Sequence, residues 1–239
     1  MPVWNPWHGC HRISAGCLHC YMYRRDAEFD KDSGVVNKTA DFDLPLRRKR
    51  DGSPKLTNEG RVYSCMTSDF FIEEADEWRR DAWRMIGNRP DLHFVIITKR
   101  IHRFYVSLPD DWDRGYENVT VCATCENQKE ALFRLPLLLD APLAHREIIC
   151  EPLLEEVDIG RFLSSGMIEK VTLGGESGPD ARPLDYDWVK SVRAQCERTH
   201  TDFYFKQTGA RFVKDGKTYM IDRKNQLAQA RKAGIDLYF

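Results

Sequence analysis

The feature that most constrains the fold of this chain is a regular alternation of strand-like and helix-like segments between residues 61 and 207. Short apolar runs are separated by longer segments in which apolar residues recur at the spacing of an amphipathic helix. Apolar strands joined by helices are typical of a parallel sheet covered by helices. The alternation therefore predicts an α/β fold of about six or seven strand–helix units, which suits a complete or partial (β/α) barrel. A doubly wound open sheet is the alternative.

The individual segments can be placed along the sequence. Strands are predicted over 61–66, 93–98, 118–124, 147–150, 170–173 and 202–205, and helices over 21–29, 73–87, 128–139, 157–164 and 185–198. Residues 31–60 lack sustained periodicity and are interpreted as an insertion within the barrel domain, either a lid or another mobile segment.

The last thirty residues differ from the rest of the chain. Two short apolar segments flank an Asp215-Gly216 turn signal, which predicts a hairpin over 211–221. Residues 223–233 are helix-prone and end at Gly234. The sequence therefore predicts a barrel domain over 1–209, and an extension over 210–239 that packs on it.

Polar residues recur where the predicted strands end. In barrels and open α/β sheets, ligands bind at the carboxyl ends of the strands. Any one acid at such a position is expected about as often to cap the following helix as to contact a ligand. The residues at these ends are Thr67, Ser68, Asp69, Lys99, Arg100, Cys125, Glu126, Asn127, Glu151, Gly174, Gly175, Glu176, Ser177, Lys206 and Gln207.

Near the start of the chain, three cysteines form a C-x6-C-x2-C loop. They are Cys10, Cys17 and Cys20, and Gly9 and Gly16 each precede a cysteine, so that the backbone can bend there without a Cβ penalty. Three thiols on one such loop predict a metal centre.

Two kinds of centre fit this loop. A structural zinc site needs a fourth protein ligand, which a nearby histidine could supply. A [4Fe–4S] cluster held by only three cysteines leaves one iron open for a ligand, which gives the polar strand ends a purpose. The available histidines are His8, His11 and His19.

The remaining cysteines and the overall composition narrow the class of protein. Eight cysteines without a signal peptide predict a cytoplasmic protein with reduced thiols, and no run reaches the ~18 apolar residues of a membrane helix. With a net charge of −1, direct nucleic-acid binding is not expected, and the basic run 47–50 is interpreted as a solvated loop. Buried core thiols are predicted at Cys65, Cys150 and Cys196.

Two features near these cysteines have alternative interpretations. Cys122 and Cys125 match a C-x2-C redox or metal motif, but Cys122 lies within a predicted strand, and a structural role is favoured. Aromatic side chains near the cysteine loop could stack on a planar ligand or simply close one end of a barrel. These side chains are Trp4, Trp7, Tyr21 and Tyr23.

The three-cysteine loop followed by β/α units resembles the radical S-adenosylmethionine (SAM) superfamily. More specifically, it resembles the phage-type three-Cys-motif branch, and within that branch the clostridial-type queuine lyases. The commonest superfamily motif has three residues between the first two cysteines, whereas this chain has six. The resemblance rests on Trp4-Asn5-Pro6, Gly9-Cys10, Ser14, Gly16-Cys17, Cys20-Tyr21, Glu151-Pro152-Leu153-Leu154, Gly174-Gly175-Glu176-Ser177-Gly178 and Lys206-Gln207-x-Gly209.

This resemblance implies a partial (β/α)6-type TIM-like barrel and a [4Fe–4S] cluster on Cys10, Cys17 and Cys20. It implies that SAM chelates the fourth iron and that an external electron donor reduces the cluster. The implied reaction cleaves the C–N bond of queuine and releases 7-aminomethyl-7-deazaguanine for tRNA queuosine salvage. The substrate assignment rests on the resemblance alone.

The resemblance also suggests roles for the strand-end residues. We expect Thr67, Ser68 and Asp69 to hold the methionine part of SAM, although the usual Gly-Gly-Glu motif is absent there. Gly175 and Glu176 are expected to serve the ribose or the substrate. A deazaguanine offers N–H donors that a carboxylate accepts well, and a lysine could approach a carboxylate or a leaving amine. The candidates are Glu126, Glu151 and Glu176 for the carboxylate, and Lys99 and Lys206 for the lysine.

Three other functions stay open at this point. A radical SAM enzyme of the same branch could act on another nucleobase or nucleic acid. A zinc-stabilised protein could bind nucleic acid through the basic run 47–50. An electron carrier would hold a cluster without responding to SAM.

Overall fold

The structure is a computed structural model that describes residues 2–239. The helices are α1 (Tyr21–Ala27), α2 (Asp76–Gly87), α3 (Gln128–Asp140), α4 (Gly160–Leu163), α5 (Tyr186–Thr199) and α6 (Arg223–Lys232). The strands are β1 (Val3–Trp4), β2 (Trp7–His8), β3 (Asn37–Lys38), β4 (Val62–Ser64), β5 (Phe94–Thr98), β6 (Val119–Thr124), β7 (His145–Cys150), β8 (Lys170–Gly174), β9 (Leu184–Asp185), β10 (Asp202–Gln207), β11 (Arg211–Lys214) and β12 (Lys217–Met220).

Seven strands form one parallel sheet in the order β1-β4-β5-β6-β7-β8-β10. The central strands are buried along most of their length, and all six residues of β6 are buried. This burial is what continuous apolar runs predict for a parallel sheet. The sheet confirms the α/β class, and it is compatible with a barrel-like fold.

The strands and helices predicted between residues 61 and 207 are all present, with ends that shift by about three residues at most. The largest shifts are at helix starts: α2 is preceded by a 3-10 turn over Glu73–Ala75, and α4 begins at Gly160. Four two-residue strands, β1, β2, β3 and β9, were not predicted, because two residues are too few to show a periodicity.

The chain divides into two compact units, and the first comprises residues up to 11, residues 25–122 and residues 140–145. Its core is aromatic: Trp7 packs on Phe70 with ring centres 5.3 Å apart, and Phe70 packs on Trp83 at 4.8 Å. Trp4 and Trp7 are fully buried.

The insertion 31–60 belongs to this first unit and contains little regular structure, as predicted. It contains β3, which pairs with β2 in antiparallel fashion, and a 3-10 turn over Leu44–Leu46. The indole N–H of Trp4 donates to the carbonyls of Asp41 and Phe42, both at 3.1 Å. Buried Arg89 donates to the carbonyls of Pro45 and Leu56. The insertion is therefore fastened to the body of the unit at several points.

The second unit comprises residues 12–24, 123–139 and 146–239. It includes the predicted C-terminal hairpin, in which β11 and β12 pair in antiparallel fashion, while β11 also pairs with β9 in parallel fashion. The tail is tied to β10 by two hydrogen bonds of 2.9 Å between Phe203 and Leu237. Among residues 2–239, no helix combines the length and the apolar character that a membrane crossing requires.

Candidate functional site

The first part of the cysteine loop, Gly9–His11, lies in the first unit. Gly9 has a φ of +99°, and a Cβ there would overlap the carbonyl oxygen of Val35, so only glycine fits. The N–H of Gly9 donates to the carbonyl of Thr67 at 3.1 Å, and the hydroxyl of Ser68 donates to the carbonyl of Gly9. Thr67 and Ser68, which were predicted to hold SAM, thus contact the backbone beside Cys10.

Arg100 is the second group that holds this part of the loop. Its Nη2 donates to the carbonyl of His11 at 2.7 Å, and its Nη1 lies 3.6 Å from Sγ of Cys10. The same Nη1 lies 3.4 Å from Oδ2 of Asp69, and both side chains are 7% exposed. A buried ion pair therefore presents an N–H donor to one of the three loop thiols.

Asp69 is bound on every side by groups of the first unit. Its carboxylate accepts from the hydroxyl of Thr98 at 2.7 Å and from the backbone N–H groups of Lys99 at 2.8 Å and Phe71 at 3.0 Å. Asp69 therefore connects the segment after β4 to the end of β5. The side chain of Lys99 lies half-buried at that end.

The second part of the loop lies in the second unit, where Ala15–Cys17 forms a 3-10 turn. Oε1 of Glu126 accepts from the hydroxyl of Ser14 and, at 3.0 Å, from the N–H of Gly16. Its Oε2 lies 2.7 Å from Nη1 of Arg134, and both side chains of this pair are 1% exposed. A Cβ on Gly16 would lie 3.0 Å from the Glu126 carboxylate, so the close approach favours glycine.

Glu176 fixes the same part of the loop from a second position. Its carboxylate is 5% exposed and accepts from Nη2 of Arg182 at 2.6 Å and from Nδ1 of His19 at 3.1 Å. Arg182 also donates to the carbonyl of Ala15 at 3.0 Å. Burial alone would raise the pKa of Glu176, but the hydrogen bonds from Arg182 and His19 lower that pKa below its usual value.

All three histidines of the loop region are hydrogen-bonded to a carboxylate through one ring nitrogen. Burial would raise the pKa of Glu74, yet the hydrogen bond from His11 keeps that pKa below its usual value. Such contacts fix the orientation of an imidazole ring. The pairs are His8 with Asp26, His11 with Glu74, and His19 with Glu176.

Glu151 is the least buried of the three candidate acids, with 17% of its side chain exposed. Its Oε2 lies 2.7 Å from Nζ of Lys206, and its Oε1 accepts from Nε2 of Gln207 at 2.7 Å. Gln207 also donates to the carbonyl of Gly175 at 3.0 Å. A Cβ on Gly175 would overlap the carbonyl oxygen of Thr208, so this glycine permits a close approach of two backbone segments.

The cysteines fall into two groups. Within residues 2–239 none forms a disulfide; Cys10 and Cys20 are half-buried, and Cys17 is 8% exposed. The other five are buried: Cys65, Cys150 and Cys196, as predicted for core thiols, and Cys122 and Cys125, for which a structural role was favoured. Burial raises the thiol pKa of Cys150, and it raises that of Cys196 to about 12, so these thiols stay protonated and unreactive.

Over residues 2–239, no group of three or more His, Cys, Asp or Glu side chains has the arrangement that holds a metal ion. A cavity of about 1160 Å³ lies in the first unit, beside the residues that precede β5 and β6. It is lined by side chains such as Arg80, His93, Tyr105 and Tyr116, and by none of the predicted site residues. Because strand amino ends are opposite to the usual ligand edge, we assign it no part in the site.

Of the three arginines of the site, Arg100 is among the predicted strand-end residues, whereas Arg134 and Arg182 were not predicted. Arg100 directly follows a predicted strand, and that position is a usable signal. Arg134 lies within a predicted helix and Arg182 in a predicted loop, and nothing in their spacing marks them. Arg182 donates to the carbonyl of Ala15, 167 residues away in sequence, and Arg134 pairs with Glu126, whose own bond to Ser14 spans 112 residues.

Comparison with known families identifies the family to which the chain belongs. A family profile described as "Protein of unknown function (DUF5131)" matches residues 2–234. The chain therefore belongs to the DUF5131 family, and the match includes the cysteine loop and all the strand-end residues. Neither the curated proteins nor the solved structures contain a match.

Proposed function

We propose that this protein is a radical SAM lyase that cleaves the C–N bond of queuine and releases 7-aminomethyl-7-deazaguanine. The observation that carries the proposal is the three-cysteine loop, whose two parts are each held by buried charged side chains. Several buried contacts to one loop are expected where the positions of its thiols matter for function. We propose that the sheet is the partial barrel of this superfamily.

The donor set of the loop fits an iron–sulfur cluster. Thiolates are the ligands that such clusters prefer, none of the three thiols is used in a disulfide, and Arg100 offers a donor to a sulfur. Cys10, Cys17 and Cys20 would hold the cluster. When bound, the cluster and SAM together supply a 5′-deoxyadenosyl radical that removes a hydrogen atom from the substrate.

Thr67, Ser68 and Asp69 are the proposed contacts for the methionine part of SAM. Thr67 and Ser68 are distant from Cys10 in sequence, but their hydrogen bonds with Gly9 hold this segment next to Cys10. A group bound along this segment is therefore kept close to one cluster ligand. Asp69 keeps the segment in place through its bonds to the end of β5.

Glu151 is the proposed acid that reads the deazaguanine. Glu126 and Glu176 are sealed by their arginine partners and by the cysteine loop, whereas Glu151 keeps part of its side chain exposed beside a 45% exposed Lys206. A carboxylate accepts hydrogen bonds from the N1–H and amino groups of such a base. Lys206 is in place to donate to an acceptor on the same ligand.

Anaerobic reconstitution with iron and sulfide tests the proposal. We expect a brown protein with about four irons per chain and, after addition of reductant and SAM, 5′-deoxyadenosine that increases with queuine. The Cys10→Ala, Cys17→Ala and Cys20→Ala variants should lose iron, and Cys196→Ala is the control. One zinc with no colour would contradict the proposal, and so would a cluster that does not cleave SAM. SAM cleavage that does not depend on queuine would contradict only the assignment of queuine as the substrate.

The Glu151→Gln variant tests the base-reading role in the same assay. Losing a charge-assisted hydrogen bond of about 1.5–3 kcal/mol should lower kcat/KM for queuine by about 10- to 100-fold. Iron content and slow SAM cleavage without queuine should not change. Glu155→Gln is a matched control, because Glu155 bonds the start of α3 instead. Equal losses in both variants would contradict the role of Glu151.

A further inference from the structure

Arg100 is held beside the sulfur of Cys10 by contacts that do not depend on that sulfur. Its Nη2 donates to the carbonyl of His11 at 2.7 Å, and its Nη1 lies 3.4 Å from Asp69. Its backbone N–H donates to the hydroxyl of Thr98 at 2.8 Å. The guanidinium is therefore fixed in position, with an N–H donor 3.6 Å from Sγ of Cys10.

The surroundings of this donor strengthen its effect. Arg100 and Asp69 are each 7% exposed, so water screens the guanidinium only weakly. Asp69 partly offsets the positive charge, and it aligns the guanidinium at the same time. The effect of Arg100 on the sulfur is therefore mainly that of a directed N–H donor at short range.

We propose that Arg100 is a positioning residue that raises the reduction potential of the cluster held by Cys10, and this inference rests on the proposed function. A cluster gains one negative charge when it accepts an electron from an external low-potential donor. A hydrogen bond to a ligand sulfur stabilises that added charge, and such bonds are among the features that set cluster potentials. Arg100 therefore makes the cluster easier to reduce.

The test is a redox titration of the reconstituted wild-type protein and its variants, followed by electron paramagnetic resonance. In Arg100→Met, the equilibrium between reduced and oxidised cluster should shift about tenfold towards the oxidised form, or 59 mV for one electron. Arg100→Lys should give a smaller shift, since it keeps the charge but cannot contact both His11 and the sulfur. Arg103→Lys should not shift, because Arg103 contacts Phe71 and Asp76.

The possible outcomes separate this inference from the proposed function. Loaded Arg100→Met with the wild-type potential would overturn the inference and leave the proposed function intact. A wild-type protein that takes up no cluster overturns both. If Arg100→Met does not fold, the Arg100→Lys and Arg103→Lys pair decides, and equal potentials in the two would overturn the inference.

Discussion

The two parts of the cysteine loop are held by side chains of opposite charge. Gly9–His11 is held by a guanidinium, which donates to a carbonyl and faces a sulfur. Ser14–His19 is held by Glu126 and Glu176, which accept from a hydroxyl, a backbone N–H and an imidazole. Both kinds of group can fix a backbone, but only the guanidinium can donate to a thiolate. Under the proposed function, the acids only anchor their part of the loop, whereas Arg100 both anchors the other part and acts on its sulfur.

The largest expected effect comes from removing Glu126. Glu126→Ala leaves Arg134 buried beside only one remaining acid, Glu130. Breaking a buried ion pair costs about 3–5 kcal/mol, and we expect about 3 kcal/mol because Glu130 remains. The free energy of unfolding, measured with urea, checks this. Glu130→Ala is the control and should cost less, since it leaves Glu126 and its loop contacts intact.

A substitution in the other part of the loop is the next largest. Gly9→Ala combines a positive φ with an overlap on Val35, and we expect a loss of about 2 kcal/mol in unfolding free energy. Gly52→Ala has a similar φ of +83° with nothing within 4 Å, and should cost about 1 kcal/mol. The difference between the two melting curves isolates the overlap. Equal losses would show that the close contact at Gly9 is not limiting.

The smallest expected effect concerns the pH dependence of stability that Glu176, one of the two acids that hold Ser14–His19, provides. Because the pKa of Glu176 is lowered in the folded chain, its ionised form adds stability above its usual value of 4.5. That stability is lost as the pH falls through the lower, folded-state value. Glu176→Gln should therefore show a shallower decline of melting temperature on acidification. Glu117→Gln, at a 91% exposed side chain, should keep the wild-type profile.

Much of the fold was predictable because its strands and helices follow the local periodicity of apolar residues. Where prediction was less accurate, the reason is local as well: β4 ends at Ser64 because Cys65 takes a φ of +58°, which interrupts the strand. Burial of Cys65, Cys150 and Cys196 was predicted, and Cys122, for which a structural role was favoured, lies in the fully buried β6.

The candidate site was predictable only in part, because its contacts join residues far apart in sequence. Glu126 was recognised as a strand-end acid, but its bond to Ser14 spans 112 residues, and no periodicity reports such a distance. The same holds for Glu176 and His19. Composition at strand ends identifies which acids are available, and tertiary packing decides which of them stay partly exposed.

Arg89 closes the segment from Pro45 to Leu56 into a ring, because one guanidinium joins its two ends. The tip of this ring, residues 49–53, is exposed except for half-buried Ser53, whose carbonyl accepts from the N–H of Lys49. Changes in length at the tip are therefore absorbed inside the ring and do not pull on β4. This makes residues 49–53 a convenient place for an epitope tag or a fluorescent label.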